Sequence, residues 1–366
     1  MIFVAVPSSL GGSNRALITL LNEFSGRLTR VVAAPAGGAM AATIQERSLA
    51  DGWIPIMKAR RATRIARVLG ALRLTLWIVR RRRYVLAIHA NATKGLYLAA
   101  PAAIVSKVPL VVWVHDSVST TWGKRLGPLL RRLLPQTRWL AVSATARDVV
   151  VANGLCPADR VIIVPNPIDA SDVVATSRDA PVSGTITVGF LGAVTEAKGF
   201  DLLPEVMSLT ADLPITWKLF VTRDNRAGRE VWERIDSLAG VRVEVLGRSR
   251  DVRAAYAQCD VVFNPTRFES FSRVTAEALM NGIPVVASDL EPIRALVDDH
   301  SGELFEAGNA KAAAEAMRKV TSGFGARARV VPHETASEFS PPVVASAFLE
   351  AYGLRRGEES ERRSSG

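Results

Sequence analysis

The stretch Val261-Val-Phe263-Asn264-Pro-Thr266-Arg-Phe-Glu269-Ser-Phe-Ser272-Arg-Val-Thr-Ala-Glu277-Ala-Leu-Met280-Asn-Gly282-Ile-Pro284-Val-Val-Ala-Ser288 reads as strand, loop, helix and strand. Val261 to Phe263 is an apolar run of buried-strand length, and Asn264-Pro-Thr266 breaks it. Ser272 can cap a helix through Met280, and Asn281-Gly282 ends that helix before the apolar strand Pro284 to Ser288. Anions bind readily ahead of Arg273, because the orphan N–H groups of a first helical turn and the helix dipole point the same way. Glu277 sits roughly 6 Å up the axis at 1.5 Å per residue and leans back toward that end. Two carboxylates around an amide-rich turn suit a ribose with phosphates, as in a nucleotide sugar. The competing reading is a surface helix with two solvated acids.

Upstream the same rhythm repeats. Ile2 to Val6, Val31 to Ala34, Val85 to Ala90, Leu110 to His115, Trp139 to Val142 and Val161 to Val164 are apolar strands separated by segments of helix length. Asp169 to Gly184 is poor in large apolar residues, and then strands resume at Val188 to Leu191, Thr216 to Val221, Val241 to Leu246, Val261 to Phe263 and Val285 to Ala287. The chain of 366 residues exceeds the usual size of one core, so two domains are expected. The predicted architecture is α/β, two Rossmann-like doubly wound parallel sheets facing across a cleft lined by the C-terminal ends of their strands. The expected divisions are an N-terminal domain over 1–172, a linker over 173–184, a C-terminal domain over 185–338, a helix within 339–353 that crosses back, and a disordered tail over 354–366.

Composition narrows the function classes. Cys156 and Cys259 show no CxxC spacing, which argues against a disulfide framework and a zinc site and favours a reducing cytosol. His89, His115, His300 and His333 have no metal-ligand spacing, so no metal is expected. Met1 to Val6 is expected to be the first core strand, not a secretory leader. Val68 to Val79 is too short for a membrane span, and Gly95 to Val114 is broken by Pro101, Lys107 and Pro109. Residues 1–180 hold 24 Lys and Arg against 9 Asp and Glu, whereas 181–366 hold 22 against 26, so the basic character belongs to the first half. It concentrates in Lys58-Ala-Arg-Arg61, Arg64, Arg67, Arg73 and Arg80-Arg-Arg-Arg83, with Leu69, Leu72, Leu76, Trp77 and Val79 interleaved. Such a helix either lies on an anionic membrane surface, receives an acidic acceptor, or packs its apolar stripe inward. No nucleic-acid-binding motif accompanies the charges, so no nucleic acid is expected.

The loops after the strands form an ordered set. They are Gly11-Gly12-Ser13-Asn14, in which Ser13 or Asn14 can cap the next helix, then His115-Asp116, Pro165-Asn166-Pro167-Ile-Asp169, Gly192-Ala-Val-Thr-Glu-Ala-Lys198-Gly199 and the E-x7-E loop. From Ile2 to Tyr352 this series resembles the retaining glycosyltransferases of family four, with the GT-B fold. The resemblance implies that Lys198 binds the donor diphosphate, Glu269 contacts hydroxyls of the transferred sugar and Glu277 holds the ribose. It also implies that backbone amides at Ser272, Arg273 and Val274 cover the phosphates, that His115 borders the reacting sugar, and that Gly12 lies under it. His115, Lys198 and Glu269 are the catalytic candidates.

Three departures from the family pattern stand out. Ala193 replaces an arginine common after the glycine of the Lys198 loop, with Arg273 or Arg267 as candidate substitutes for its charge. Ser272 and Pro167 replace common glycines. The implied activity is transfer of a hexose-type sugar from a UDP-, GDP- or ADP-sugar to a saccharide or lipid-linked acceptor with retention, in cell-surface polysaccharide or glycolipid synthesis. No cofactor is implied, and the location is cytoplasmic, with the inner face of the membrane as a further expectation. Acceptor candidates are His89, Asn91, Asp116, Arg61 and Arg64, and Asp116 is also a candidate base. The alternatives are a nucleotide-sugar epimerase of the same fold and a non-enzymatic basic protein that binds membrane or nucleic acid. A dinucleotide-dependent dehydrogenase is disfavoured because Gly11-Gly12 lacks G-x-G-x-x-G spacing.

Overall fold

The computed structural model describes residues 1–6, 11–58, 63–116, 121–169, 184–223, 228–247, 251–322 and 338–354. The chain divides into two compact units, one of Met1–Pro167 with Glu338–Gly366 and the other of Ile168–Ser337.

In the first unit the strands are β1 (Ile2–Val4), β2 (Val31–Ala36), β3 (Gly52–Lys58), β4 (Ile88–Asn91), β5 (Leu110–Val114), β6 (Arg138–Ala141) and β7 (Val161–Ile163). They pair in parallel in the order β3-β2-β1-β4-β5-β6-β7. In the second unit β8 (Ile186–Phe190), β9 (Ile215–Leu219), β10 (Arg242–Val245), β11 (Val261–Asn264), β12 (Val285–Ser288) and β13 (Gly302–Phe305) pair in parallel in the order β10-β9-β8-β11-β12-β13. Both sheets reverse direction of winding once, between β1 and β4 and between β8 and β11. Such a switch point opens a crevice outside the carboxyl ends of its two strands, where ligands of doubly wound sheets bind. The core of the second unit is aromatic: Phe190, Phe200, Trp217 and Phe263 are all but fully buried.

β3 and β13 were not anticipated from the sequence, and both lie at a sheet edge. An edge strand tolerates Pro55 in Gly-Trp-Ile-Pro-Ile-Met-Lys and the half-buried Glu303 in Gly-Glu-Leu-Phe, so neither shows the apolar run of a central strand. The strand expected from Val85 begins at Ile88, because Arg82–Tyr84 forms a 3-10 turn.

The helix Pro341–Ala351 belongs to the first unit. Phe348 meets the Trp113 ring at 4.7 Å, and the Tyr352 hydroxyl lies 2.9 Å from His89 Nδ1. The expected linker 173–184 lies outside the described residues apart from Gly184, and the tail lies outside them beyond Leu354. No described helix is long and apolar enough to cross a membrane.

Candidate active site

Two loops leave the switch point of the second sheet, and they carry the residues singled out in the sequence. The loop after β8 tightens into the 3-10 turn Glu196–Lys198, and Gly199 follows at φ 67°. A Cβ at Gly199 would stand 2.0 Å from the Pro265 carbonyl oxygen, so glycine is required both by the left-handed backbone and by the approach of the loop after β11. The second loop is strapped onto the first. The Arg267 N–H donates to the Ala197 carbonyl at 2.9 Å, and the Thr266 hydroxyl donates to the same oxygen at 3.1 Å. Lys198 Nζ consequently donates to Glu269 Oε2 at 2.8 Å, which joins the two loops through a partly exposed ion pair.

The helix Arg273–Met280 starts from Ser272, whose φ of 62° and ψ of 69° are left-handed. Ser272 occupies the cap position, but its hydroxyl does not cap the backbone as the sequence reading expected. The hydroxyl instead donates to Thr275 Oγ1 at 2.8 Å and accepts from Asn264 Nδ2 at 2.9 Å. Asn264 also donates to Thr275 Oγ1 at 3.0 Å, so a buried three-residue network fixes the turn that aims the first-turn amides of Arg273 and Val274. Asn281 and Gly282, at φ 65°, close the helix as read from the sequence.

Glu277 is buried and leans back one turn, as helical side chains do. Its Oε1 accepts from Arg273 Nε at 3.0 Å and Nη2 at 2.7 Å, and its Oε2 accepts from the Tyr256 hydroxyl at 3.0 Å. Burial, and then the Glu277 charge beside it, push the Tyr256 phenol well above its ordinary range, so Tyr256 stays a donor. A carboxylate offers about four acceptor positions, and three are used here, which leaves room for one more hydroxyl.

Neither arginine offered as a substitute for the charge missing at Ala193 is uncommitted. Arg267 grips Asp201 with both terminal nitrogens, at 2.6 and 2.7 Å, and donates to the Glu196 carbonyl at 2.7 Å. The Asp201 hydrogen bonds hold the Arg267 pKa above its ordinary value. Arg267 is therefore a strap between loops, and Arg273 is the partner of Glu277.

In the first unit Gly12 opens the helix Gly12–Glu23, with Gly11 as its cap. Neither Ser13 nor Asn14 caps it through a side chain, contrary to the sequence reading. Asn14 lies inside the helix, fully buried, and its Oδ1 faces Asn91 Nδ2 at 3.4 Å. His115 is half-buried with its ring 4.3 Å from Trp113. Asp116 Oδ2 accepts from the Thr93 N–H at 3.1 Å and from the Thr93 hydroxyl, so it anchors the start of the helix Ala92–Ser106.

The acceptor candidates need correction. His89 is fully buried between Phe3, Trp113, Phe348 and Tyr352, and burial lowers its pKa to about 3. It is a neutral core histidine that an acceptor cannot touch. Asn91 is also fully buried, and its amide donates to the Ser13 carbonyl at 3.2 Å, so it braces the first turn of the helix Gly12–Glu23. Arg61 lies outside the described residues, as does the Arg64 side chain. Among the described residues no three His, Cys, Asp or Glu side chains gather as a metal site would require.

Sequence reasoning missed Tyr256, Asn264, Thr275 and Asp201. Asn264, Tyr256 and Asp201 act from elements outside the E-x7-E stretch, whereas Thr275 lies within it, and the only signal was that Tyr256 is the sole tyrosine of the second unit.

Comparison with known proteins agrees with this architecture. Residues 10–172 match Glycosyltransferase Family 4, and residues 185–322 match Glycosyl transferases group 1. Together the matches take in most of the chain, which belongs to this family of glycosyltransferases. Over 230 residues it is 30% identical to a D-inositol 3-phosphate glycosyltransferase of Xylanimonas cellulosilytica, covering 57% of this chain and 54% of that protein. Over 180 residues it is 35% identical to a phosphatidyl-myo-inositol mannosyltransferase of Mycobacterium leprae, covering 45% and 46%. The chain thus spans about half the length of the curated relatives it matches. The crystal structure of Anabaena Alr3699/HepE in complex with UDP and glucose superposes with a TM-score of 0.79 at 19% identity, covering 96% of this chain and 98% of that one. The fold is GT-B.

Proposed function

We propose that the protein transfers a hexose-type sugar from a nucleotide diphosphate sugar to a saccharide or lipid-linked acceptor, with retention of configuration. The observation that carries this reading is the meeting of Lys198 with Glu269, and of Arg273 with Glu277, at the switch point of one sheet. A diphosphate arriving there takes Lys198 and the first-turn amides of Arg273–Met280 as donors. Glu269, released from Lys198, accepts from hydroxyls of the sugar, and Glu277 gives its remaining acceptor position to the ribose. UDP is the first donor nucleotide to test, since the HepE structure is described with UDP and glucose. The inositol-directed relatives and the basic first half of the chain favour an acceptor that carries a phosphate.

In the reaction the anomeric C–O bond to the diphosphate breaks while the acceptor oxygen bonds to the same carbon from the same face. The acceptor proton passes to the departing phosphate oxygen, so no protein nucleophile is needed. The work of this chain is stabilisation of the leaving charge by Lys198 and the helix start.

Acceptor-dependent release of nucleoside diphosphate tests the reading. Thermal-shift screening of UDP-, GDP- and ADP-sugars selects the donor, and turnover is then followed over a panel of phosphorylated acceptors. Release of an epimerised sugar without acceptor would favour the epimerase reading. Absence of heat in calorimetry with every nucleoside diphosphate would end both.

A further inference from the structure

The helix Arg64–Arg80 has two apolar faces, and only one of them is used by the core. Gly70, Leu74 and Ile78 point inward, and a Cβ at Gly70 would meet the Ile56 carbonyl oxygen at 2.5 Å, so the helix lies hard against β3. On the opposite side Ile65, Val68, Leu69, Leu72 and Leu76 are between 54% and 73% exposed. At 3.6 residues per turn these five fall within about 100° of arc, a continuous stripe. Tyr84, in the turn that follows the helix, is more exposed still.

Charge borders this stripe with one sign. Arg73 and Arg80 flank it on the helix, Arg81, Arg82 and Arg83 follow it, and all five are exposed. The sequence holds no Asp or Glu from Gly52 to His115. A stripe of this breadth on a fixed helix is more than scattered surface apolarity.

We propose that this helix docks the protein on an anionic lipid bilayer, laying Ile65, Val68, Leu69, Leu72 and Leu76 into the interface while the arginines meet the headgroups. An interfacial helix of this kind needs both parts, the apolar face and the cationic border. A second copy of the chain, meeting this face about a two-fold axis, would lay basic residues against basic residues, since this region holds no acid to oppose them. Nucleic acid would use the arginines and leave the apolar stripe in water.

The test is flotation of the full chain with phosphatidylcholine vesicles, with and without phosphatidylglycerol. The protein is expected to float only with phosphatidylglycerol and to be released by salt. Arg73→Ala with Arg80→Ala is expected to weaken partitioning about 30-fold, at roughly 1 kcal/mol for each arginine near the surface. The triple variant Leu69→Gln, Leu72→Gln, Leu76→Gln is expected to lose at least about tenfold while keeping its melting temperature, because the replaced side chains are exposed. UDP binding is expected to stay the same in every variant, so the docking proposal and the donor reading fail separately. No flotation of the wild-type chain, or unchanged flotation of the triple variant, would overturn the proposal. A wild-type dimer that the triple variant dissolves, with no vesicle binding by either, would assign the face to self-association instead.

Discussion

Lys198 Nζ stands 2.8 Å from Glu269 Oε2, so the two loops of the switch point share one charge pair. The pair is partly solvated, 37% and 17% exposed, and contributes little to stability by itself. Its value lies in competition, because a diphosphate and Glu269 seek the same ammonium. Lys198→Ala is expected to weaken UDP binding about 10- to 150-fold, the effect of one charge-assisted hydrogen bond of about 1.5 to 3 kcal/mol. Glu269→Gln is expected to leave UDP binding equal or tighter while transfer falls by a similar factor. Calorimetry with UDP, set beside turnover, separates the two. Weaker UDP binding in Glu269→Gln would make Glu269 a support for Lys198 and not a sugar ligand.

Tyr256 is expected to act through Glu277. It donates at 3.0 Å to Oε2, the oxygen that Arg273 does not bind. Tyr256→Phe keeps the ring in its buried position and removes only that donor, which frees the carboxylate to turn. The donor KM is expected to rise about tenfold or more with kcat little changed, since a bond to a charged group is lost. With a donor lacking the ribose hydroxyls the penalty should shrink, whereas a purely structural role for Tyr256 would penalise both donors alike.

Much of this was legible in the chain because the central strands are apolar and the loops between them hold unusual residues. Val261–Phe263 and the Asn281-Gly282 stop each read correctly, since each is fixed by local backbone chemistry. Edge strands β3 and β13 did not, because half of their hydrogen-bonding capacity faces outward and their sequences need not be apolar. The fate of a polar side chain was least legible of all. His89 and Asn91 look like cleft residues at the end of a strand, and only the return of Phe348 and Tyr352 from more than 250 positions away buries His89. In the same way Asp201 reaches Arg267 and Tyr256 reaches Glu277 from separate elements, so no local pattern could reveal those contacts, whereas the Arg273–Glu277 pair is an i, i+4 contact that the spacing itself allows.

Ser272 tests whether the turn ahead of Arg273 is held by backbone freedom or by hydrogen bonds. A left-handed residue other than glycine costs roughly 1 to 2 kcal/mol, and the Asn264 and Thr275 contacts offset that cost. Ser272→Ala keeps the strain and loses both contacts, so it is expected to destabilise by about 1 to 3 kcal/mol. Ser272→Gly loses the same contacts but relieves the strain, and is expected to be more stable than Ser272→Ala by about 1 kcal/mol. Urea denaturation of the three proteins settles the order, and equal stability of the two variants would remove the strain from the account.

His89 predicts an acid limit for the first unit. Burial lowers its pKa from the ordinary 6.5 to about 3, so the folded protein holds it neutral where the unfolded chain protonates it. Between those values the unfolded state binds one more proton, and stability therefore rises with pH. The contribution is complete above about pH 6.5 and is lost as pH falls toward about 3, with a slope approaching 1.4 kcal/mol per pH unit for one proton. His89→Gln retains a polar group opposite the Tyr352 hydroxyl and removes the titration. Denaturant midpoints at pH 7 and pH 5 should therefore fall more steeply for the wild-type chain than for His89→Gln. Parallel falls would mean that the acid sensitivity comes from other groups and that His89 reaches solvent.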